Sequence, residues 1–379
     1  MAHARQIAAM LAALTSLETE LVCLLPLAGL RRAGESLGEH LFKEYGVSVH
    51  ASARPVPVLP FSDEIHRGWR LLYSYAVLRL NSLIYSIGVL FSNELHKADY
   101  IYTRHLLLAF FLCFVPSARK KLVIELHDLP SARWERLKTR VLLGSRARIG
   151  VISVGLLARL KRLSLAEIKA TLVLVPDAVS NAFAAAALPR EEARKRLGVQ
   201  ADALVVTYCG SLHSGKDPDV LVRAMADLER LGCICWIIGG HQDQIAQLRD
   251  RHSYAQNVKF WGMQPQRDVP TFLSASDVLL VTYSSHSRFA EFSSPLKVFE
   301  YAAVGRPIVA PDVPSIREIL TDGETAVLYR PGDAEDLATC ISSLLGEPQR
   351  AARLAAGAAA RWSRWTWEGR AVKLFGFNG

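Results

Sequence analysis

The stretch "SPLKVFEYAAVGRPIVAP" (Ser294 to Pro311) reads as a packed helix feeding a buried strand, yet it carries a lysine and a glutamate, Lys297 and Glu300. Leu296, Val298, Phe299, Ala302, Ala303 and Val304 supply the packing face. Gly305 stops the helix and Pro307 opens the strand "IVAP". Burying an unpaired charge in such a segment is expensive. Either both side chains sit at the solvent edge, or the start of the helix carries a ligand. Ser294 is a good N-cap and Pro295 suits the first helical position, which leaves free N–H groups at Leu296 and beyond aimed at the strand ends. Lys297 and Glu300 share a face one turn in. A helix start plus a lysine suits a diphosphate. A carboxylate one turn deeper suits two sugar hydroxyls, through charge-assisted bonds worth about 1.5–3 kcal/mol each.

A second anion site lies in "YCGSLHSGKD", where a strand ends at Gly210, a polar turn follows and Lys216 and Asp217 begin a helix. A plain turn between strand and helix is the alternative there. Open α/β sheets bind ligands at the carboxyl ends of their strands, which also singles out Gly239 to Asp243, Tyr283 to Pro295 and Glu125 to Asp128. In the last of these, His127 ends the run "KLVIELH" beside Glu125 and Asp128. No GxxxxGK[ST] or GxGxxG occurs, which disfavours a Walker ATPase and a standard dinucleotide fingerprint. No RRM, KH or helix-turn-helix pattern organises the basic residues, so nucleic acid is not an expected partner.

The elements that must position these groups follow from composition and rhythm. With 379 residues, 50% hydrophobic and 21% charged, the chain is long enough for two domains with sizeable cores. A formal net charge of +9 favours anionic partners. Six scattered cysteines with no CxxC pattern read as reduced core thiols of a cytosolic protein. "LLYSYAVLRLNSLIYSIGVLF" (Leu71 to Phe91) is long enough to span a membrane, but Arg79 and Asn81 lie near its middle. A central arginine costs about 2.5–3.5 kcal/mol. "HLLLAFFLCFVP" (His105 to Pro116) is too short, and both segments read as buried or interfacial helices.

In the C-terminal half, "ALVVTYCG", "CICWIIGG", "VKFWG", "DVLLVTY", "PIVAP" and "TAVLYRP" alternate with helical patterns, which predicts a parallel sheet with helices on both faces. "ELVCLLP", "ADYIYT", "KLVIELH" and "RIGVISV" do the same more roughly in the N-terminal half. The expected division is an N-terminal Rossmann-like domain at 1–182, a second at 183–360, and a C-terminal helix at 361–379 packing back toward the first. The chain opens on a helical pattern (Ile7, Met10, Leu11, Leu14) rather than on a strand and glycine turn. The expectation is therefore that a first strand, with a start codon about 15–25 residues upstream, is missing from this reading frame.

"VLVPDAVSNAF", "GSLHSGK", "WIIGG", "VKFWG", "SPLKVFEYAAVGRPIVAPDVPSIREIL" and "DGETAVLYRPGDAEDLA" come in the order of the retaining nucleotide-sugar glycosyltransferases of family 4, and the chain resembles that family over most of residues 170 to 370. The resemblance implies the GT-B architecture, two Rossmann-type domains facing across a cleft. Glu300 matches the second of the family's two spaced glutamates, which holds the nucleotide ribose. The first falls on Phe292, with Glu291 one position off. The family's lysine after the first strand of the C-terminal domain matches Lys216. Its arginine in that turn is Ser211 here, which shifts diphosphate charge onto Lys216, helped by Lys297 or Arg288. His127 matches the histidine that reaches the donor sugar, and Glu318 is expected to be structural. Gly210, Ser211, Gly239, Gly240, Ser294, Pro295, Leu296 and Lys297 are the donor-binding positions so implied.

The resemblance thus implies a cytoplasmic retaining glycosyltransferase that moves a sugar from a UDP- or GDP-sugar to a glycan or lipid-linked acceptor, in surface polysaccharide or glycolipid synthesis. No metal or cofactor is expected. Basic, aromatic and apolar helices in the N-terminal half suit peripheral contact with an anionic inner leaflet. The alternatives are an inactive nucleotide-sugar-binding member, favoured by Phe292 and Ser211, and a related GT-B epimerase or phosphorylase.

Overall fold

A computed structural model describes residues 2–26, 37–45, 47–56, 58, 69–164, 166–253, 255–284, 286–287 and 289–377. The chain divides into two units. The first comprises Met1–Ile152, Leu156–Val175 and Ala371–Gly379, and the second comprises Ser153–Gly155 and Pro176–Arg370. The main division thus falls at Val175/Pro176, where the sequence pattern placed it at 182/183.

The first unit opens with helix α1 (Ala2–Ser16), which buries Ala8, Met10, Ala13 and Leu14. Strand β1 (Leu21–Pro26), helix α2 (Leu37–Tyr45) and strand β2 (Ala51–Val56) follow, and β1 and β2 pair in parallel as a two-stranded sheet. β2 went unread in the sequence because Arg54 and Pro55 interrupt it; proline is tolerated where a strand lies at a sheet edge. Helix α3 (Trp69–Leu90) is tied to β1 by the Tyr85 hydroxyl, which donates to the Leu24 carbonyl at 2.9 Å. Leu80, Leu83, Ile87 and Phe91 recur at helical spacing and are all exposed, Phe91 by 84%. No helix among the described residues is long and apolar enough to cross a membrane. After α4 (Asn93–Lys97) come β3 (Ile101–Thr103), α5 (Leu106–Leu112), β4 (Leu122–Leu126), α6 (Arg133–Leu143), β5 (Arg148–Val151), α7 (Val154–Leu163) and β6 (Thr171–Leu174). Strands β3 to β6 form a four-stranded, all-parallel sheet. β4 is buried throughout, as a central parallel strand requires. The last residues of the chain return to this unit, where Arg148 Nε donates to the Leu374 carbonyl at 2.6 Å.

The second unit begins with α8 (Asn181–Ala185) and α9 (Arg190–Leu197). It continues through β7 (Val205–Cys209), α10 (Pro218–Leu228), β8 (Ile234–Ile238), α11 (Gln242–Arg251), β9 (Val258–Gly262), α12 (Val269–Ala275) and β10 (Val278–Leu280). Then come α13 (Phe289–Phe292), α14 (Leu296–Val304), β11 (Ile308–Pro311), α15 (Pro314–Arg317), β12 (Val327–Tyr329), α16 (Ala334–Gly346), α17 (Pro348–Trp362) and α18 (Trp367–Phe375), whose last residues belong to the first unit. The six strands lie in the order β12-β11-β10-β7-β8-β9, all parallel. Alternate residues face opposite cores: Val206, Tyr208, Cys235 and Ile237 enter one, Val205, Trp236 and Ile238 another. All six cysteines are free thiols.

Candidate active site

At the carboxyl ends of β7 and β8 three glycines let two turns touch. Gly210 donates its N–H to the Ile238 carbonyl at 2.8 Å, and Gly239 donates to the Gly262 carbonyl at 2.6 Å. A β-carbon on Gly239 would stand 2.3 Å from the Gly210 carbonyl oxygen, and Gly239 also has a φ of +106°. One on Gly240 would meet Leu212 at 2.5 Å. At Gly210 the obstacle is of another kind: its β-carbon would lie 2.7 Å from Nζ of Lys297. The glycine leaves room for an ammonium.

Lys297 lies near the start of α14 and is only 9% exposed; Glu300, on the same helix, is 4% exposed. Of the two sequence readings, the solvent-edge one is excluded. Lys297 Nζ sits 3.7 Å from the centroid of the Tyr208 ring, and no described residue accepts a hydrogen bond from it. Lys216 ends the 3₁₀ turn Ser214–Lys216, with its Nζ 3.9 Å from the centroid of the Tyr283 ring and its carbonyl accepting from the Thr282 hydroxyl. Burial, and then the Lys297 charge, lower the Lys216 pKa to about 6. Burial lowers that of Lys297 to about 7. Desolvation favours the neutral amine, so in these surroundings only a nearby anion would keep both lysines charged. Glu300 receives a long hydrogen bond from Gln266 Nε2 at 3.4 Å. The Tyr208 hydroxyl donates to the carbonyl of Ser211, itself exposed, at 2.8 Å.

Some expectations are corrected. Ser294 does not cap α14: its hydroxyl accepts from the Asp177 N–H at 2.7 Å, and Pro295 takes the cap position ahead of Leu296. The hydroxyl is drawn away to hold the segment that follows β6. Phe292 is buried and Glu291 exposed, so the carboxylate one position off does not replace the missing one in the interior. Arg288 lies outside the described residues. Glu318 accepts the N–H groups of Val154 and Gly155 at 2.7 and 2.9 Å, a structural use.

In the first unit, His127 follows β4 and bonds Glu125 through Nε2 at 2.8 Å. Glu125 is fully buried and pairs with Arg104 at 2.5 Å, and Arg104 also reaches Gln6 at 3.1 Å. A charged pair therefore holds the imidazole from one side. Sequence reasoning missed Tyr208 and Gln266, and it singled out the stretches holding Tyr283 and His213 without giving either residue a role. For Tyr208 the signal was present, since strand alternation sets it apart from Cys209 just before the turn. Cavities of about 480 and 510 Å³ lie elsewhere in the second unit, beside Asp277 and Arg306 and beside Arg249 and His252. No group of three or more His, Cys, Asp or Glu that could hold a metal ion is found among the described residues.

Comparison with known proteins bears on the family and the fold. The profile of the family described as Glycosyl transferases group 1 matches residues 203–347. The chain is 30% identical over 217 residues to the D-inositol 3-phosphate glycosyltransferase of Thermobispora bispora, covering 53% of this chain and 48% of that protein. It is 33% identical over 200 residues to the one from Stackebrandtia nassauensis, covering 49% and 44%. It thus spans about half the length of these curated relatives. Among solved structures, Anabaena HepE in complex with UDP superposes with a TM-score of 0.69 at 20% identity, over 98% of this chain and 94% of that one. WaaG, a glycosyltransferase involved in lipopolysaccharide biosynthesis, gives 0.67 at 13% identity, over 98% and 96%. The likeness to the glycosyl transferases group 1 family thus covers residues 203–347, and the fold is that of the GT-B glycosyltransferases.

Proposed function

We propose that this chain is a retaining glycosyltransferase whose second unit binds a nucleoside diphosphate sugar at the carboxyl ends of β7, β8 and β10. The observation that carries the reading is the pair Lys297 and Glu300, both buried near the start of α14, with no hydrogen-bond acceptor for the Lys297 nitrogen among the described residues. Lys216 and the N–H groups of Leu296 and Lys297 meet the diphosphate charge. Glu300 accepts the ribose hydroxyls, and Gly210, Ser211, Gly239 and Gly240 bring main chain close to the ligand. His127, steadied by Glu125, keeps the sugar-contacting role that the family resemblance implies for it.

In the reaction the bond from the anomeric carbon to the diphosphate breaks as the acceptor oxygen attacks from the same face. The departing diphosphate oxygen takes the acceptor's proton. Fixed cations and dipoles stabilise the leaving group as its charge develops, so the chemistry draws on no protein nucleophile, metal or cofactor. The complexes of HepE with UDP and with UDP-glucose favour a uridine donor. The acceptor is a glycan or lipid-linked molecule on the cytoplasmic side of a membrane. The exposed stripe of α3 and the exposed basic residues Arg119, Lys120, Arg133, Arg136 and Arg140 support contact with that membrane; Arg136, Arg140 and Lys121 also donate to the Pro130, Leu163 and Ala98 carbonyls at 3.4, 3.1 and 2.6 Å. Buried Phe292 in place of a carboxylate favours a second reading, a nucleotide-sugar-binding protein without turnover. Calorimetric titration with UDP and with GDP tests the donor site: one of them binds with 1:1 stoichiometry, and absence of binding by both contradicts the proposal.

A further inference from the structure

Lys297 poses a physical problem that donor binding alone does not solve. The side chain is buried, its Nζ faces the Tyr208 ring at 3.7 Å and abuts Gly210, and no carboxylate among the described residues pairs with it. The titratable groups around it are Tyr208 and Cys209 from β7, His213 and Lys216 from the turn that follows, Tyr283 against Lys216, and Glu300 and Tyr301 from its own helix. The amine on Lys216 and the imidazole of His213 add to the positive side. Burial and then the charges of Lys216 and Lys297 also hold His213 below its ordinary range. Aromatic faces attract a cation, but by less than full desolvation costs it. The buried ammonium is poorly compensated as the site stands.

We infer that Lys297 is a buried positioning cation for the diphosphate, uncharged in the empty site and charged in the loaded one, so that the nucleotide enters together with a proton. The inference rests on the donor site proposed above. An anion bound over the Gly210 turn supplies the charge that lets Lys297 hold a proton taken from solvent, and the proton leaves again with the nucleotide. Lysine suits this role where arginine would not, since a guanidinium stays charged whether or not the anion is present. Ser211 is consistent with this: the permanently charged side chain implied by the family resemblance at that turn is absent, and the neighbouring cations are ones that can discharge. Gly210 is required for the same reason, because any β-carbon there would displace the Lys297 nitrogen.

The test is proton linkage. UDP is titrated calorimetrically into the full chain at pH 8, where its terminal phosphate is already deprotonated, in buffers of differing ionisation enthalpy. The expected result is uptake of up to about two protons per UDP bound, one on Lys297 and one on Lys216, with affinity falling by up to about a hundredfold per pH unit above neutrality. Lys297→Met should lose about one proton of that uptake and make the pH dependence shallower, whereas Lys216→Met should keep the Lys297 share. No measurable uptake in the unmodified chain, which needs no variant to fold, overturns the inference while leaving the donor site standing. An unchanged proton count in Lys297→Met with UDP still bound overturns it too. Failure of both UDP and GDP to bind overturns the donor site itself, and the inference with it.

Discussion

Replacing Lys297 with methionine should make the ligand-free protein more stable at neutral pH. Methionine keeps the length of the stem that packs against Tyr208 while removing the nitrogen. The lysine pKa falls from 10.5 to about 7 on folding, a difference of about 3.5 units. At about 1.36 kcal/mol per unit this makes burial of the amine cost up to about 5 kcal/mol. The sign follows from proton counts. Between about pH 7 and 10.5 the unfolded chain keeps a proton that the folded chain has lost, so stability rises with pH across that window. The penalty is fully present below pH 7 and gone above 10.5. Allowing for repacking, Lys297→Met should gain about 2–4 kcal/mol at pH 7 and lose part of the rise toward pH 10. Urea unfolding followed by tryptophan fluorescence reads both, with Trp236 and Trp261 packed 5.6 Å apart reporting on the second unit. A variant no more stable than the parent at pH 7, with the same pH slope, would refute the claim that this ammonium is buried at a cost.

Three further outcomes follow from the site and the surface. Glu300→Gln should weaken nucleotide binding by roughly tenfold to a hundredfold, the worth of one or two charge-assisted bonds, with the unfolding midpoint unchanged; equal affinity in calorimetry would remove the ribose role. Lys216→Ala should lower turnover far more than thermal stability, and a matched loss of both would make the residue structural. Sedimentation with anionic liposomes should weaken as salt rises, by about 1 kcal/mol per basic residue near the surface. Binding that ignores salt and falls with Leu83→Asp instead would assign the contact to the apolar stripe of α3.

The second unit was legible where burial leaves one reading. Strands β7 to β12 are short apolar runs with turn residues at their ends, and all six appear in one parallel sheet. The glycines after β7 and β8 were legible as turns, though not the reason each must be glycine, which is a close approach between two turns and an ammonium. Whether Lys297 pointed out or in could not be read, because helical spacing gives a face and not the depth a long side chain reaches. The N-cap shifted by one residue because Asp177, distant in sequence, claims the Ser294 hydroxyl. β2 was lost to Pro55, which breaks the alternation a strand is recognised by. The role of Glu125 was only half visible: a carboxylate inside "LVIEL" signals a partner, but Arg104 had to be found in space.

The most direct measurement is the fate of the donor. The chain is incubated with a panel of UDP- and GDP-sugars, and the released sugar is followed by proton NMR before its anomers equilibrate. The account predicts that one nucleotide sugar is consumed with release of its nucleoside diphosphate, that the sugar first appears with the donor's anomeric configuration, and that Lys216→Ala abolishes the release. A folded chain that binds a nucleotide yet consumes no donor, or releases the sugar inverted, would contradict it.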